Sequence, residues 1–342
     1  MHKIKNTLIK FGAVKAIMIL LCVVLVAIVF WNQWNQSTTN ENVGSATKKL
    51  TAQTKRGLTS INTSPTNLAT ISSTRTKSKA GLPVKTNLAA VTAAENQTYT
   101  TGNRLFVTGN DGIFEIVGNT KGSATIIQRA PKQDCAFGGI VEVSGVLYAN
   151  CYEFTASHIY AAKIDASPSF KRVYSLKGTL LANGLTADDS GRLYMACTFN
   201  GKILRLTPSA ENPLEITRVG TWLGQSGLFT NGIKYANGSI YWTNGPAVKR
   251  ATLNADGSPG NQKTLLNALA YFDDLAVDNT GMAVADYTAG AIRSYDLNGN
   301  NTGTIATGLN GPSSVQQARA PFPVGSLIVT QRGGNQVTLV TP

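Results

Sequence analysis

From about residue 87 to the C-terminus, short apolar runs alternate with polar positions, and the whole arrangement recurs. The clearest copy is 182–206, ANGLTADDSGRLYMACTFNGKILRL: a turn, a short apolar strand, a hydrophobic-aromatic strand, a Gly turn, then another apolar strand. Related copies occupy 95–117, 137–164, 230–253 and 272–297, with a degenerate one at 311–340. Period-two alternation, β-branched and aromatic residues, and Gly, Asn and Asp at the breaks predict strands throughout. Aligning Phe106, Tyr148, Tyr194, Tyr241, Val284 and Ile328 gives steps of 42, 46, 47, 43 and 44 residues. Blades of four short strands repeat at about 40–50 residues, whereas helical repeats of that period need apolar spacings of three and four. The pattern predicts an all-β, six-bladed β-propeller over 87–342, closed by a strand near 85–92 that completes a blade of the C-terminal end.

The first ninety residues read differently. Residues 16–31, AIMILLCVVLVAIVFW, carry no charge and no helix breaker, and Trp34 follows at the edge. With Lys15 snorkelling, this is just enough for a transmembrane helix at 16–34. The stub at 1–15 holds Lys3, Lys5, Lys10 and Lys15 and no acid, which places it in the cytoplasm and everything beyond Trp34 outside. A cleaved signal peptide is the alternative, but the apolar run ends in VFWNQW rather than small residues. Residues 35–86 are rich in Ser, Thr, Asn and Lys and predict a disordered linker. Either reading exports the C-terminal part to the periplasmic or extracellular face.

Charge sharpens this division. Residues 1–90 have a net charge of +11, and residues 91–342 only +2. The basic character belongs to the leader and linker, so nucleic acid is not an expected partner of the folded part. Of four cysteines, Cys22 lies in the apolar run, and Cys135, Cys151 and Cys197 lie in the exported part. One disulfide suits that compartment, with Cys135 to Cys151 the candidate pair, and no Cys/His spacing suggests zinc.

Propellers gather functional side chains where the turns into the innermost strands converge. Counting back ten or eleven residues from the aligned positions gives Glu95, Asn183, Asn231 and Asp274, with Phe137/Gly138 and Ser313/Ser314 in the remaining copies. Four hard oxygen donors around one axis suit Ca²⁺ or another divalent cation. Asn183 and Asn231 each precede a glycine, and any one of the four alone reads equally as a turn residue, so a purely structural role stays open.

The NGL of 183–185, the NGI of 231–233 and the DDLAVDNTG of 273–281 resemble the senescence marker protein/gluconolactonase family, the regucalcin-like six-bladed propellers. The resemblance spans about 95–340. It implies that Glu95, Asn231 and Asp274 hold one divalent cation, that Asn183 lines the same site, and that a lactone or ester is hydrolysed. The cation would polarise the carbonyl, and Asp274 would act as general base towards water, with Asp273 the alternative base. Leu181 stands where members often carry Arg, and Glu95 lacks their following Gly-Pro. Related paraoxonase propellers use a histidine dyad; this domain has only His158, an ordinary polar residue on a blade. Phe137, Phe229 and Phe272 are candidates for an apolar rim or for packing between blades. The alternative function is a non-catalytic exported propeller that binds a protein, glycan or envelope ligand.

Overall fold

A computed structural model describes residues 82–119, 122–153, 155–179 and 181–341. The expected stub, the anchor at 16–34 and the linker as far as 81 lie outside the described residues. Among the described residues, no helix is long and apolar enough to cross a membrane.

Among the described residues, all regular elements are strands. After β1 (Val84–Ala90), the first repeat comprises β2 (Gln97–Tyr99), β3 (Leu105–Gly109), β4 (Gly112–Gly118) and β5 (Ala124–Pro131). The second comprises β6 (Ala136–Val143), β7 (Val146–Tyr152), β8 (Ala156–Lys163) and β9 (Lys171–Lys177). The third comprises β10 (Ala182–Ala187), β11 (Leu193–Cys197), β12 (Lys202–Pro208) and β13 (Ile216–Leu223). Next come β14 (Thr230–Ala236), β15 (Ser239–Leu253), β16 (Pro259–Val277), β17 (Met282–Asp286), β18 (Ala291–Tyr295) and β19 (Asn301–Ala306). The chain ends with β20 (Pro312–Gln317), β21 (Leu327–Gln331) and β22 (Gln336–Thr341).

These strands form five antiparallel sheets, not the six separate blades expected. The reason lies in the fourth and fifth repeats, which share one six-stranded sheet, β14 to β19. β15 folds back on itself at Gly245 (φ 56°), so that Leu253 N donates to Gly238 O at 2.9 Å. The turn residue Gly245 also pairs with Phe272 on β16, and β16 continues from β15 to β17 without a break. Ring closure is as expected: β1 pairs antiparallel with β22, from Val84↔Thr341 to Ala90↔Gln336.

Five of the six innermost strands carry a β-bulge, and all six share a pair in common register: Gln97↔Val107, Ile140↔Ala149, Leu185↔Met195, Ile233↔Trp242, Leu275↔Val284 and Val315↔Val329. The residues just before the second members are therefore equivalent: Phe106, Tyr148, Tyr194, Tyr241, Ala283 and Ile328. The sequence alignment is right in five repeats and one residue out in the fifth, where Ala283 rather than Val284 holds the position. The four aromatic side chains are buried between successive repeats. Each contributes roughly 1.5–3 kcal/mol by leaving water.

The residues just after those second members form a girdle. Thr108 Oγ1 donates to Gly138 O (2.6 Å), Asn150 Nδ2 to Asn183 O (2.5 Å), Thr243 Oγ1 to Asp273 O (2.6 Å) and Thr330 Oγ1 to Glu95 O (3.0 Å). Four of the six repeats thus bond the backbone of the next repeat's innermost strand, at the residues that carry the candidate site. Ala196 and Ala285, at the other two positions, have no such group.

Candidate functional site

In a bulge two residues oppose one, so the bulged innermost strands set two successive residues against a single partner. The register makes Glu95, Gly138, Asn183, Asn231, Asp273 and Ser313 one equivalent set, and Asn96, Gly139, Gly184, Gly232, Asp274 and Ser314 the next. Asp273, not Asp274, is thus the counterpart of Glu95, Asn183 and Asn231. All four lie at the mouth and are buried. The chain enters with left-handed backbone at Ala93 (φ 46°), Leu181 (φ 60°) and Phe229 (φ 64°), equivalent positions at which the last repeat has Gly311 (φ 56°). Non-glycine residues held there cost about 1 kcal/mol or more each, strain of the kind that collects at ligand sites.

The mouth set is rich in acid and short of partners. The Arg332 guanidinium bonds Glu95 Oε2, and Arg332 also donates to Tyr152 OH at 3.4 Å. Asn231 Nδ2 donates to Tyr271 OH at 3.4 Å, while Asn231 Oδ1 is buried with no hydrogen-bond partner. Burial, then the charges of Glu95 and Asp274, pushes the Asp273 carboxyl well above the usual carboxylate range, opposed by Arg332 and the Asn231 amide. Burial beside Glu95 likewise pushes the Tyr152 hydroxyl up to about 12.

The second set is tied together through one oxygen of Asp274, while the other, Oδ1, is buried with no hydrogen-bond partner. Asp274 Oδ2 accepts from Ser314 Oγ (2.6 Å), Lys234 Nζ (2.9 Å) and Asn96 Nδ2 (3.2 Å), and Lys234 Nζ also lies 3.4 Å from Asn96 Oδ1. Asp274 Oδ1 packs against Gly232, where an added Cβ would come within 2.2 Å of it. Only glycine leaves room for that carboxylate beside the neighbouring strand.

Among the described residues, no three His, Cys, Asp or Glu side chains gather closely enough to hold a metal ion. A cation would therefore need neutral amide oxygens as well. The orphaned Asn231 Oδ1 and the mutually repelling Glu95 and Asp273, with Asn183 at the equivalent position of the third repeat, make a donor set that fits one. Asp274 differs in that Oδ2 already holds three donors, but its Oδ1, packed against Gly232, is likewise buried with no hydrogen-bond partner.

Of the rim candidates, Phe137 and Phe272 are buried core residues. Phe229 is half-buried and meets Phe199 edge-on, centroids 6.3 Å apart, beside the exposed Leu228. His158 sits on β8, bonded to Ser175 Oγ (2.9 Å) and Glu153 Oε1 (3.0 Å). Cys135 and Cys151 are joined in a disulfide, and Cys197 is a buried free thiol, its pKa pushed up to about 12 by burial. Sequence reading missed Arg332, Tyr152, Tyr271, Lys234 and Asn96. Lys234 did carry a signal, a charge inside an innermost strand; Arg332, in a turn of the degenerate copy, carried none.

No protein-family model and no curated protein sequence matches the chain. Solved structures do. A luciferin-regenerating enzyme superposes with a TM-score of 0.58 and 16% identity, over 76% of this chain and 95% of that one. A gluconolactonase candidate gives 0.59 and 13%, over 76% and 92%. A chain of a nidogen/laminin complex gives 0.52 and 15%, over 67% and 85%. At these identities the likeness establishes the fold alone. The chain is an all-β propeller whose structural neighbours include gluconolactonase-type proteins.

Proposed function

We propose that this is an exported, membrane-anchored hydrolase of lactones or esters, dependent on a divalent cation such as Ca²⁺. The observation that carries the reading is the mouth set: two buried acids, Glu95 and Asp273, beside an amide oxygen of Asn231 that has no partner. Glu95, Asn231 and Asp273 would hold the cation, with Asn183 lining the site; when bound, the ion supplies Lewis-acid polarisation of the substrate carbonyl. Asp273, made a stronger base by burial and by its acidic neighbours, would take the proton of the attacking water. Arg332 orients Glu95, and Tyr152 and Tyr271 add hydroxyl donors beside the two site residues. The apolar edge at Leu228 and Phe229, with Leu181 at the position equivalent to Phe229 in the third repeat, favours a substrate with an apolar arm. The disulfide supports an oxidising location on the far side of the membrane.

The test is hydrolysis of δ-valerolactone, γ-nonalactone and p-nitrophenyl acetate by the full chain, with and without CaCl₂. Asp273→Asn should lower the rate by about 10²–10⁴-fold. Absence of both hydrolysis and calorimetric Ca²⁺ binding would sink the reading. A second reading, a non-catalytic propeller that binds a protein, glycan or envelope ligand, is favoured by Arg332, which already neutralises one oxygen of Glu95. It expects partner binding to survive Asp273→Asn.

A further inference from the structure

The register that aligns the candidate site also aligns the residues three places beyond the second members of the register pairs. They are Asn110, Tyr152, Thr198, Gly245, Tyr287 and Arg332, one from each repeat. Thr198, Tyr287 and Arg332 donate their backbone N–H groups to equivalent carbonyls, those of Leu181, Tyr271 and Gly311, each at 2.9 Å. Those carbonyls lie two places before the site residues, which sets this tier at the mouth. Five of its members are neutral and Arg332 alone is charged. Packing gives no reason for that departure.

Arg332 of the sixth repeat meets Glu95 of the first and Tyr152 of the second. Its guanidinium bonds Glu95 Oε2 and lies 3.4 Å from Tyr152 OH. The ion pair is uneven, because the Arg332 side chain keeps 33% of its exposure and the Glu95 side chain only 5%. An accessible guanidinium thus covers a carboxylate that solvent hardly touches, and a cation gains Oε2 only when the guanidinium leaves. The Arg332 backbone is held on Gly311 O, so the move is confined to the side chain. Two cations on one buried carboxylate repel strongly where water is scarce. Once a divalent ion neutralises Glu95 and Asp273, the guanidinium is left without a counter-charge. Beside it the Tyr152 hydroxyl, which burial keeps protonated at neutral pH, is a further donor. A planar fork of N–H donors suits a carboxylate, and a carboxylate is what hydrolysis of a lactone or ester leaves.

We propose that Arg332 is an exchangeable counter-cation: its guanidinium leaves Glu95 when a divalent cation takes that carboxylate, and then, with the Tyr152 hydroxyl, holds the carboxylate of the hydrolysis product. The inference rests on the hydrolase reading and adds regulation to it, since cation and carboxylate strengthen each other's binding by the same factor. Isothermal titration of the full chain in detergent with CaCl₂ tests it, with and without saturating 5-hydroxypentanoate, the product from δ-valerolactone. The hydroxy acid should tighten Ca²⁺ binding about tenfold, and 1,5-pentanediol, its uncharged counterpart, should leave it unchanged. Without the acid, Arg332→Gln should bind Ca²⁺ about tenfold more tightly than the wild-type chain, and adding the acid should then change nothing. Tyr152→Phe, which keeps the ring, should weaken only the effect of the acid. The wild-type comparison needs no variant, so it decides even where Arg332→Gln fails to fold. Equal Ca²⁺ binding with and without the hydroxy acid, in a chain that hydrolyses δ-valerolactone, would overturn the inference and spare the hydrolase reading. Absence of both Ca²⁺ binding and hydrolysis would remove the two together.

Discussion

The fourth and fifth repeats share a sheet, yet they differ at four equivalent positions near the axis. The fourth carries Gly232, Lys234, Tyr241 and Thr243; the fifth carries Asp274, Ala276, Ala283 and Ala285. The fourth closes tightly on its neighbour through a buried ring and a girdle hydrogen bond. The fifth gives up both and places a carboxylate on the axis instead. The two are complementary, since Lys234 of one meets Asp274 of the other in the space that Gly232 leaves. In a repeat protein, chemistry is best sought where one copy departs from the pattern of the rest, because packing alone gives no reason for the departure.

The sharpest way to break this contrast is Tyr241→Ala, which gives the fourth repeat the alanine of the fifth. Tyr241 is buried, so the void should cost about 3–5 kcal/mol, read as a lower midpoint in urea. Next is Asp274→Ala, which strands the Lys234 ammonium. Because Lys234 keeps some solvent access, the loss should be about 2–3 kcal/mol rather than the full value for a buried pair. The same variant should leave Ca²⁺ binding in place, whereas Asp273→Ala should abolish it; calorimetry separates the two. Thr243→Ala, which cuts the bond to Asp273 O, should cost about 1 kcal/mol.

The smallest effect has the opposite sign. In the folded chain the Asp273 carboxyl holds its proton more tightly than in the unfolded chain. Folding is therefore favoured below the ordinary carboxylate range, and that advantage is lost as pH rises from about 4 towards the folded-state value. Asp273→Asn removes the titration. It should raise Tm by roughly 2–4 °C at pH 7 and leave it unchanged near pH 3 in paired thermal scans.

Much of this architecture was legible in the sequence. The spacing from Phe106 to Tyr241 located the strands, and residues near 85–92 were expected to close the ring, as β1 does. The bulges were not legible. An extra residue on one strand leaves no mark in a period-two pattern, yet it changes which side chain faces where. Separately, taking Val284 rather than Ala283 as the aligned position led to Asp274, while the register puts Asp273 in line with Glu95 and Asn231. The fusion of two repeats was hidden for a related reason, because it turns on the single pairing Gly245↔Phe272. Arg332 could not be foreseen, since its partner Glu95 is brought to it only by closure of the ring.

That closure sets an order of events during synthesis. Val84 meets Thr341 across 257 residues, so β1 has no partner until nearly the whole chain is available. Contacts at such sequence separation form slowly, and until they do the edge of β22 is open to the β1 of another molecule. A chain shortened from the N-terminus past Ala90 would keep that edge open permanently. Such a fragment should be found as edge-paired dimers or aggregates rather than as a stable monomer.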